Sequence, residues 1–176
     1  MTDQPALPTS PDELLARLDA LGIVHRTISH PPLFTVEDSK ALRGDLPGTH
    51  IKNLFLRDRR ENMFLVVLQE DRRVDLKALA GVLGAGKLSF GSAERLRRHL
   101  GVLPGAVTPF AAINDSDGRV AVWLDRAVVQ GGTVHCHPLV NTMTTALQPD
   151  DLVAFLRACG HPPSVFDPPA PAASAD

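Results

Sequence analysis

Short hydrophobic segments, each bounded by glycine, proline or a capping residue, recur along this chain. Ser10-Pro-Asp-Glu13 is a capping box with proline at the first helical position, and leucines follow at helical spacing as far as Leu21. This pattern predicts a first helix that ends at Gly22. Residues 23–29 then predict a strand, which ends at His30-Pro-Pro32 because proline continues neither helix nor strand.

A β-hairpin is predicted between residues 48 and 68. The apolar runs Leu54-Phe-Leu56 and Met63-Phe-Leu-Val-Val-Leu68 have strand composition, and a polar turn separates them. Lys52 and Asn53 precede the first run, so Lys52 is expected at the mouth of a strand, held by the sheet but within reach of a cleft. The alternative is a solvated lysine that guards a strand edge against pairing.

The remaining segments predict a mixture of helices and strands. Thr35, Asp75 and Ser92 have the composition of N-caps, and they predict three helices, at 36–44, 76–83 and 93–100. Further strands are predicted at 87–90, 110–113, 120–124, 133–137 and 141–146, with a last helix at 149–159. This order predicts an α+β fold, one compact domain with a curved, mixed, mostly antiparallel sheet and flanking helices.

The composition is that of an ordinary globular protein, with 44% hydrophobic and 22% charged residues in 176. No apolar run is long enough to span a bilayer, and the N-terminus lacks the basic region and apolar core of a secretion signal. Cys136 and Cys159 form no CxxC unit. These features predict a reduced, cytoplasmic protein without membrane contact, and a monomer is the default expectation.

The formal net charge of −2 excludes a protein that coats nucleic acid, because such proteins are usually strongly basic. The arginines are nevertheless clustered, at 57–60, 72–73 and 95–98. A local basic face on a slightly acidic body suits brief contact with an RNA end. For any one cluster, a solvated turn or helix face is the alternative.

His135-Cys-His137 is the one compact group of potential metal ligands, and on a strand its two imidazoles would share a face. A zinc site needs further ligands, and no second cluster stands at useful spacing. A pocket histidine is therefore favoured over a metal ligand, with His137 the better candidate because it precedes Pro138 at a strand end. Neither cysteine has the basic partner that a nucleophile requires.

The loop Pro104-Gly-Ala-Val-Thr-Pro109 could present backbone N–H groups to a carbonyl or a developing oxyanion, because Gly105 permits inward-pointing amides and the prolines stiffen the loop. An ordinary connecting turn explains the same residue types equally well.

Four segments in this order resemble the YbaK/ProX-type aminoacyl-tRNA deacylases. They are Phe34-Thr-Val-Glu-Asp-Ser-Lys-Ala-Leu-Arg-Gly44, His50-Ile-Lys-Asn-Leu-Phe-Leu-Arg-Asp58, Gly101-Val-Leu-Pro-Gly-Ala-Val-Thr-Pro-Phe110 and His135-Cys-His-Pro-Leu-Val-Asn-Thr-Met-Thr-Thr145. The chain is most similar to free-standing prolyl-tRNA editing proteins that hydrolyse alanyl-tRNA(Pro). The resemblance runs from about His25 to Phe166.

The domain is accordingly expected to span residues 10–166, after a flexible lead-in of residues 1–9 and before a Pro/Ala tail at 167–176. The composition from His161 onward already predicts disorder.

The resemblance implies an enzyme that acts in trans without metal or cofactor. Its catalytic residues would be Lys52 and Asn53, with His137 and the Gly105 loop lining the substrate pocket. Thr35, Thr108 and Pro109 complete the expected substrate contacts. The resemblance does not define the contacts to the acceptor stem, and the basic residues Arg57, Lys87, Arg95 and Arg98 are the candidates for tRNA contact.

The expected partners are the acceptor end of tRNA(Pro) charged with alanine and, transiently, prolyl-tRNA synthetase or the elongation machinery. Two alternatives stay open: a deacylase for cysteinyl- or seryl-tRNA, and a non-catalytic module that binds an RNA end or a partner on the same scaffold.

Overall fold

The central strand of the fold, β3 (Met63–Gln69), is buried from residue 63 to residue 68. Its successive side chains join two different hydrophobic clusters: Leu65 and Val67 belong to one, and Val66 and Leu68 to the other. Because neighbouring residues on a strand point to opposite faces, the sheet is covered on both sides. This explains why β3 is a continuous apolar run rather than an alternating one.

The computed structural model describes residues 6–171. Its α-helices are α1 (Pro11–Ala20), α2 (Val36–Arg43), α3 (Leu76–Leu83), α4 (Ala93–Leu100), α5 (Arg126–Val129) and α6 (Pro149–Ala158). The other strands are β1 (His25–Ser29), β2 (Thr49–Arg57), β4 (Ser89–Phe90), β5 (Val120–Asp125), β6 (Val134–Cys136), β7 (Met143–Leu147) and β8 (Ser164–Phe166). In this part of the chain, no helix has the length and apolar character needed to cross a membrane.

The strands form one sheet in the order β1-β7-β6-β2-β3-β5-β8, with β4 paired to β2. The pairs β1–β7, β6–β7, β2–β3 and β2–β4 are antiparallel, and β2–β6, β3–β5 and β5–β8 are parallel. Helices α1, α4 and α6 pack on one face and α3 on the other. The predicted α+β class with a mixed, mostly antiparallel sheet is therefore confirmed.

The long strand β2 has an interrupted edge. One edge pairs with β3 from Ile51 to Arg57. On the other edge, β6 pairs only at Thr49 and His50, and β4 only at Leu56 and Arg57. The sheet is therefore split beside residues 51–55, and this gap is where a cleft forms.

The predicted helix starts are confirmed by cap geometry. Ser10 and Thr35 each form a capping box, and the side chains of Asp75 and Ser92 accept hydrogen bonds from the first turn of α3 and α4. These signals are local, so they can be read from the sequence without knowledge of the tertiary structure.

Two predictions about elements are wrong, and some elements were missed. Residues 110–113 were expected to be a strand, but Pro109–Asn114 is a 3₁₀ helix, capped by Thr108 and packed against α4 and α6. The short helix α5 was not predicted. The disorder expected from His161 onward is wrong for residues 161–166, because β8 pairs with β5 and the buried His161 Nε2 lies 2.8 Å from Asp115 Oδ2.

Lys52 lies within β2, opposite Leu68, rather than at the mouth of the strand. At the N-terminal end of the domain, the Thr9 hydroxyl donates to Asn114 Oδ1 at 2.6 Å, and Leu7 packs against the core. The rest of the predicted lead-in, residues 1–5, and the end of the predicted tail, residues 172–176, lie outside the described residues.

Candidate active site

A cleft of about 290 Å³ occupies the gap beside β2. Its walls come from α2 and the segment before it, from β2, from the loop after α4, and from the end of β6. Both Lys52 and Asn53 line it, although neighbours on a strand point to opposite faces. Both can do so because the cleft lies at the edge of the strand, where side chains from either face reach it.

Lys52 is held by the turn that follows β3. Its Nζ donates a hydrogen bond to the carbonyl oxygen of Arg72. The Arg72 guanidinium in turn lies 3.1 Å from the fully buried carboxylate of Asp125, so the turn that receives the lysine is itself anchored. An ammonium group has three donors, and two remain available for a ligand in the cleft.

The carboxamide of Asn53 contains an unusual buried atom. Its Oδ1 is buried and has no hydrogen-bond partner among the described residues. Asn53 shares its face of β2 with Ile51 and Phe55, which pack against the larger hydrophobic cluster. A buried acceptor without a donor is costly, and a catalytic role is one of the explanations for such an atom in a native structure.

The imidazole of His137 is fixed in one orientation. Its Nδ1 lies 2.9 Å from the carbonyl oxygen of Met143, so Nδ1 carries the hydrogen and donates it. Burial lowers the pKa of His137; the Met143 hydrogen bond opposes this, and the charge of His30 adds to it. His137 is therefore neutral at physiological pH, and Nε2 is left as an acceptor on a ring that lines the cleft.

His30 faces His137 with ring centroids 6.1 Å apart. Its Nδ1 donates to the Pro31 carbonyl at 2.8 Å, and its Nε2 lies 2.7 Å from the Thr144 hydroxyl. Both ring nitrogens of His30 are thus occupied, so its role in the cleft is to shape the wall.

His135 lines the same cleft as His137, but its imidazole is paired with His50 rather than with His137. It stacks on His50 with centroids 4.6 Å apart, in the parallel register of β2 and β6. The Nε2 atoms of His50 and His135 donate to the carbonyls of Leu46 and Pro47, at 2.9 and 3.0 Å. The pair therefore fastens the loop between α2 and β2.

An ion pair between α2 and the end of β3 forms another part of the cleft wall. The Arg43 guanidinium donates to both carboxylate oxygens of Glu70, with Nη1 2.9 Å from Oε2. The two side chains are only 15% and 5% exposed. Bidentate pairs of this kind orient the groups strongly, so this pair fixes the C-terminal end of α2 over the cleft.

The glycine-containing loop contributes Gly105 and Val107 to the cleft. Gly105 has φ +89°, and a Cβ there would lie 3.1 Å from Phe34 Cδ1, so both conformation and space favour glycine. Thr108 and Pro109 are buried where the loop enters the 3₁₀ helix, and the Thr108 hydroxyl accepts from Phe110 N–H. The structure thus places these two residues in support of the loop, whereas Thr35, the cap of α2, does line the cleft.

The arginines expected to contact tRNA lie at the far end of β2 and on α4. Glu61 pairs with Arg57 at 3.6 Å and also with Arg95, so these two charges are partly neutralised. Arg98 pairs with Glu94 at 3.4 Å and is 69% exposed, and Lys87 is exposed.

Comparison with known proteins identifies the family. Residues 30–155 match the model of the aminoacyl-tRNA editing domain, and these residues include the cleft walls and all of β2. The chain belongs to the aminoacyl-tRNA editing domain family. The resemblance found in the sequence is therefore confirmed.

Relatives of the editing domain extend over nearly the whole chain. The chain is 37% identical to the prolyl-tRNA editing protein ProX of Acetoanaerobium sticklandii, over 84% of this chain and 91% of that protein. It is 38% identical to the prolyl-tRNA synthetase associated domain-containing protein 1 of Mus musculus, over 88% of this chain and 94% of that protein.

A solved structure shares the fold of the editing domain. The crystal structure of a proposed trans-editing enzyme for prolyl tRNA synthetase superimposes with a TM-score of 0.71 at 18% identity, covering 94% of this chain and all of that chain. At this identity the likeness concerns the fold alone.

Sequence reasoning missed several residues of the editing-domain cleft: His30, Phe34, Arg43, His50 and Glu70. For Arg43 and Glu70 no local signal was available, since a salt bridge between residues 27 positions apart is created by the fold. Phe34 could have been predicted from the sequence, because it is an aromatic residue directly before a helix cap in a polar segment.

The cysteines of the editing domain are poor nucleophiles. Cys136 lies in the core as well as at the cleft wall, and burial raises the pKa of its thiol far above the usual range. Burial also raises the pKa of Cys159. Within residues 6–171, no group of three or more histidine, cysteine, aspartate or glutamate side chains is arranged to hold a metal ion.

Proposed function

We propose that this chain is a trans-editing hydrolase that deacylates alanyl-tRNA(Pro). The observation that carries the proposal is the convergence of Lys52, Asn53, His137 and the backbone of Gly105 on one cleft. These residues come from segments far apart in sequence. They supply a cation, a carboxamide, a neutral imidazole and a glycine backbone without a side chain, which together suit the recognition of an aminoacyl ester.

The biological need for such an activity follows from the limits of steric discrimination. A synthetase pocket sized for proline cannot exclude the smaller alanine, and missing methylene groups are worth only about 1–3 kcal/mol of discrimination. A second site that accepts alanine and excludes proline corrects the error by hydrolysis. The names of the ProX and mouse relatives, which refer to prolyl-tRNA editing and to prolyl-tRNA synthetase, support this assignment.

Hydrolysis of the ester requires a positioned water molecule as nucleophile, which a ribose hydroxyl of the substrate can help to orient, and stabilisation of the charge that develops on the carbonyl oxygen. We assign charge stabilisation to Lys52, acting on the carbonyl or on the terminal phosphate region. The hydrogen bond from Lys52 to the Arg72 carbonyl would hold the ammonium group in position before substrate arrives. Asn53 and the backbone near Gly105 would supply further hydrogen bonds to the ester.

His137 would shape the part of the cleft that receives the amino acid. Its neutral ring offers Nε2 as an acceptor to the substrate's α-ammonium group, which a protonated ring would repel. Val107 and Cys136 also line the cleft and would offer apolar contact to a methyl group. The proposed partners are the charged acceptor end of tRNA(Pro), with Arg57, Lys87, Arg95 and Arg98 near the stem, and transiently prolyl-tRNA synthetase.

The decisive experiment measures deacylation of alanyl-, prolyl-, cysteinyl- and seryl-tRNA by the wild type, Lys52→Ala and Lys77→Ala. Lys77 is exposed at the start of α3 and lines no part of the cleft, so its variant is the matched control. We expect rapid hydrolysis of alanyl-tRNA(Pro) alone, lost in Lys52→Ala and kept in Lys77→Ala, with unchanged circular dichroism.

Other results assign a different function. Preferential hydrolysis of cysteinyl- or seryl-tRNA would keep the enzyme class and replace the substrate. Binding of charged tRNA that survives Lys52→Ala, with no hydrolysis by any variant, would indicate a non-catalytic module.

A further inference from the structure

A second cavity, of about 390 Å³, opens beside the candidate active site. Most of its wall is apolar, with contributions from Pro32, Leu103 and Val140, while Asn141 and Thr142 supply the polar side chains. Phe34 lines both this cavity and the active-site cleft. The phenyl ring therefore stands at the junction of the two hollows.

Helix α2 offers Phe34 no apolar side chain at the position against which a residue before the N-cap usually packs. Phe34 is 69% exposed and precedes Thr35, the N-cap of α2. A hydrophobic residue at this position often packs against the fourth residue of the helix. That residue is Ser39 here, which offers no apolar partner.

The ring is nevertheless held in place. A Cβ on Gly105 would lie 3.1 Å from Phe34 Cδ1, so the loop backbone closely approaches part of the ring. The preceding residue is tied on both sides: Leu33 N–H donates to the Asn141 carbonyl at 3.1 Å, and Asn141 Nδ2 donates to the Leu33 carbonyl at 3.0 Å. Phe34 is thus a positioned aromatic surface with an open side.

We propose that Phe34 stacks on the adenine of the substrate's terminal nucleotide, and that the second cavity receives this base. The inference rests on the proposed function, since it takes the ester to lie at Lys52 and Asn53. The terminal base is attached to the same ribose as the ester, so it must occupy space adjoining the cleft. Unpaired nucleotides of RNA are generally bound by stacking on aromatic side chains, and this cavity adjoins the cleft through such a side chain.

The test uses a minihelix with 2-aminopurine as its terminal base and alanine attached through a non-hydrolysable amide. Stacking quenches 2-aminopurine fluorescence, so the readout reports the base and needs no turnover. We expect quenching by the wild type and Phe34→Tyr, and loss of quenching in Phe34→Leu, with affinity reduced by roughly tenfold or more. Phe90→Leu is the matched control, because Phe90 is 62% exposed and lines neither cavity; it should quench like the wild type.

A second measurement separates stacking from a structural effect on α2. Deacylation by Phe34→Leu should be slowed on the normal substrate but match the wild type on a substrate that lacks its terminal base. Equal slowing on both substrates, or quenching only when 2-aminopurine occupies the penultimate position, would overturn the assignment.

These measurements also distinguish failure of the proposed stacking site from failure of the proposed function. Quenching that depends on Phe34 without hydrolysis of alanyl-tRNA(Pro) rejects the proposed function and supports the stacking site. Normal hydrolysis without such quenching rejects the stacking site alone.

Discussion

Helices α2 and α4 are alike in length and capping but are held to the molecule by different forces. Each has eight residues and a hydroxyl N-cap, Thr35 or Ser92. Helix α4 buries Leu96 and Leu100 in the main hydrophobic cluster, whereas α2 contains no buried residue. Hydrophobic burial thus attaches α4, and something else must attach α2.

Ion pairs are the main attachment of α2. Arg43 forms the bidentate pair with Glu70, and Lys40 lies 2.8 Å from Asp71. Both acidic partners follow β3, on the side of the cleft where Lys52 lies. The comparison teaches that this domain builds its core from buried leucines but attaches the helix beside its cleft through charges. Few buried apolar contacts are the mark of a segment that opens at low free-energy cost.

The largest expected effect comes from removing a buried leucine. Leu100→Ala on α4 should lower the free energy of unfolding by about 2–5 kcal/mol, because the side chain is fully buried and leaves a cavity. Leu42→Ala on α2, where the side chain is 47% exposed, should change it by less than about 0.5 kcal/mol. Urea unfolding followed by circular dichroism measures both. Comparable losses would show that α2 is attached by burial after all.

The next effect tests the buried ion pair. Arg43→Met should lower the free energy of unfolding by about 1–3 kcal/mol, because it leaves the Glu70 carboxylate buried without its partner. The loss of stability is limited because α2 can detach from the sheet, which would return the Glu70 carboxylate to water. Hydrogen exchange should accelerate in α2 and not in α4, and Arg97→Met, at an exposed position on α4, is the matched control. Unchanged exchange in α2 would contradict the proposed attachment.

Acidification should also distinguish the two helices. Burial lowers the pKa of His50 below its usual 6.5; the Leu46 carbonyl and Glu70 oppose this, and Arg43 and His135 reinforce it. The unfolded chain therefore binds the proton more readily, so the stability contributed by neutral His50 is present above pH 6.5 and lost as the pH falls below it. The protection factors of residues 36–50, which correct exchange rates for their intrinsic pH dependence, should therefore fall more on acidification from pH 7.5 to 5.5 than those of α4.

The control for this pH effect is His50→Gln, which keeps a donor for the Leu46 carbonyl and removes the titration. The difference between the two helices should then no longer depend on pH. If it persists unchanged, another group is responsible.

The smallest effect is expected for the exposed pair. Lys40→Ala removes a salt bridge whose side chains are 48% and 62% exposed, so global stability should be unchanged within error. Screening by salt should likewise have little effect on α4 and should accelerate exchange in α2 modestly. A titration of exchange rates from 0.05 to about 1 M salt checks this; equal acceleration in both helices would remove the distinction.

The elements that could be predicted from sequence are those with local signals. The caps at Ser10, Thr35, Asp75 and Ser92 and the hairpin at 49–69 were predictable because each depends on residues a few positions apart. The 3₁₀ helix was misread as a strand because its apolar residues fit either element and only its packing between α4 and α6 distinguishes them. Strand β8 was missed because its residues pair only after β5 provides an edge.

The candidate site likewise has residues that could be predicted from the sequence and an arrangement that only the fold creates. Lys52 and Asn53 adjoin in the sequence, and the resemblance of four motifs was enough to select them together with His137 and Gly105. Their meeting in one cleft depends on the incomplete pairing of β2, which no single segment encodes. The stacking of His50 on His135 and the salt bridge between Arg43 and Glu70 also arise only in the folded chain.

By itself, the sequence determined the capped helices, the apolar hairpin and membership of the editing-domain family, because these depend on short-range patterns and on motif order. Only the tertiary structure decided that the sheet splits beside Asn53, that charges rather than burial attach α2, and that Phe34 stands between two cavities. The physical reason is that strand pairing, desolvation and cavity shape depend on residues far apart in the chain.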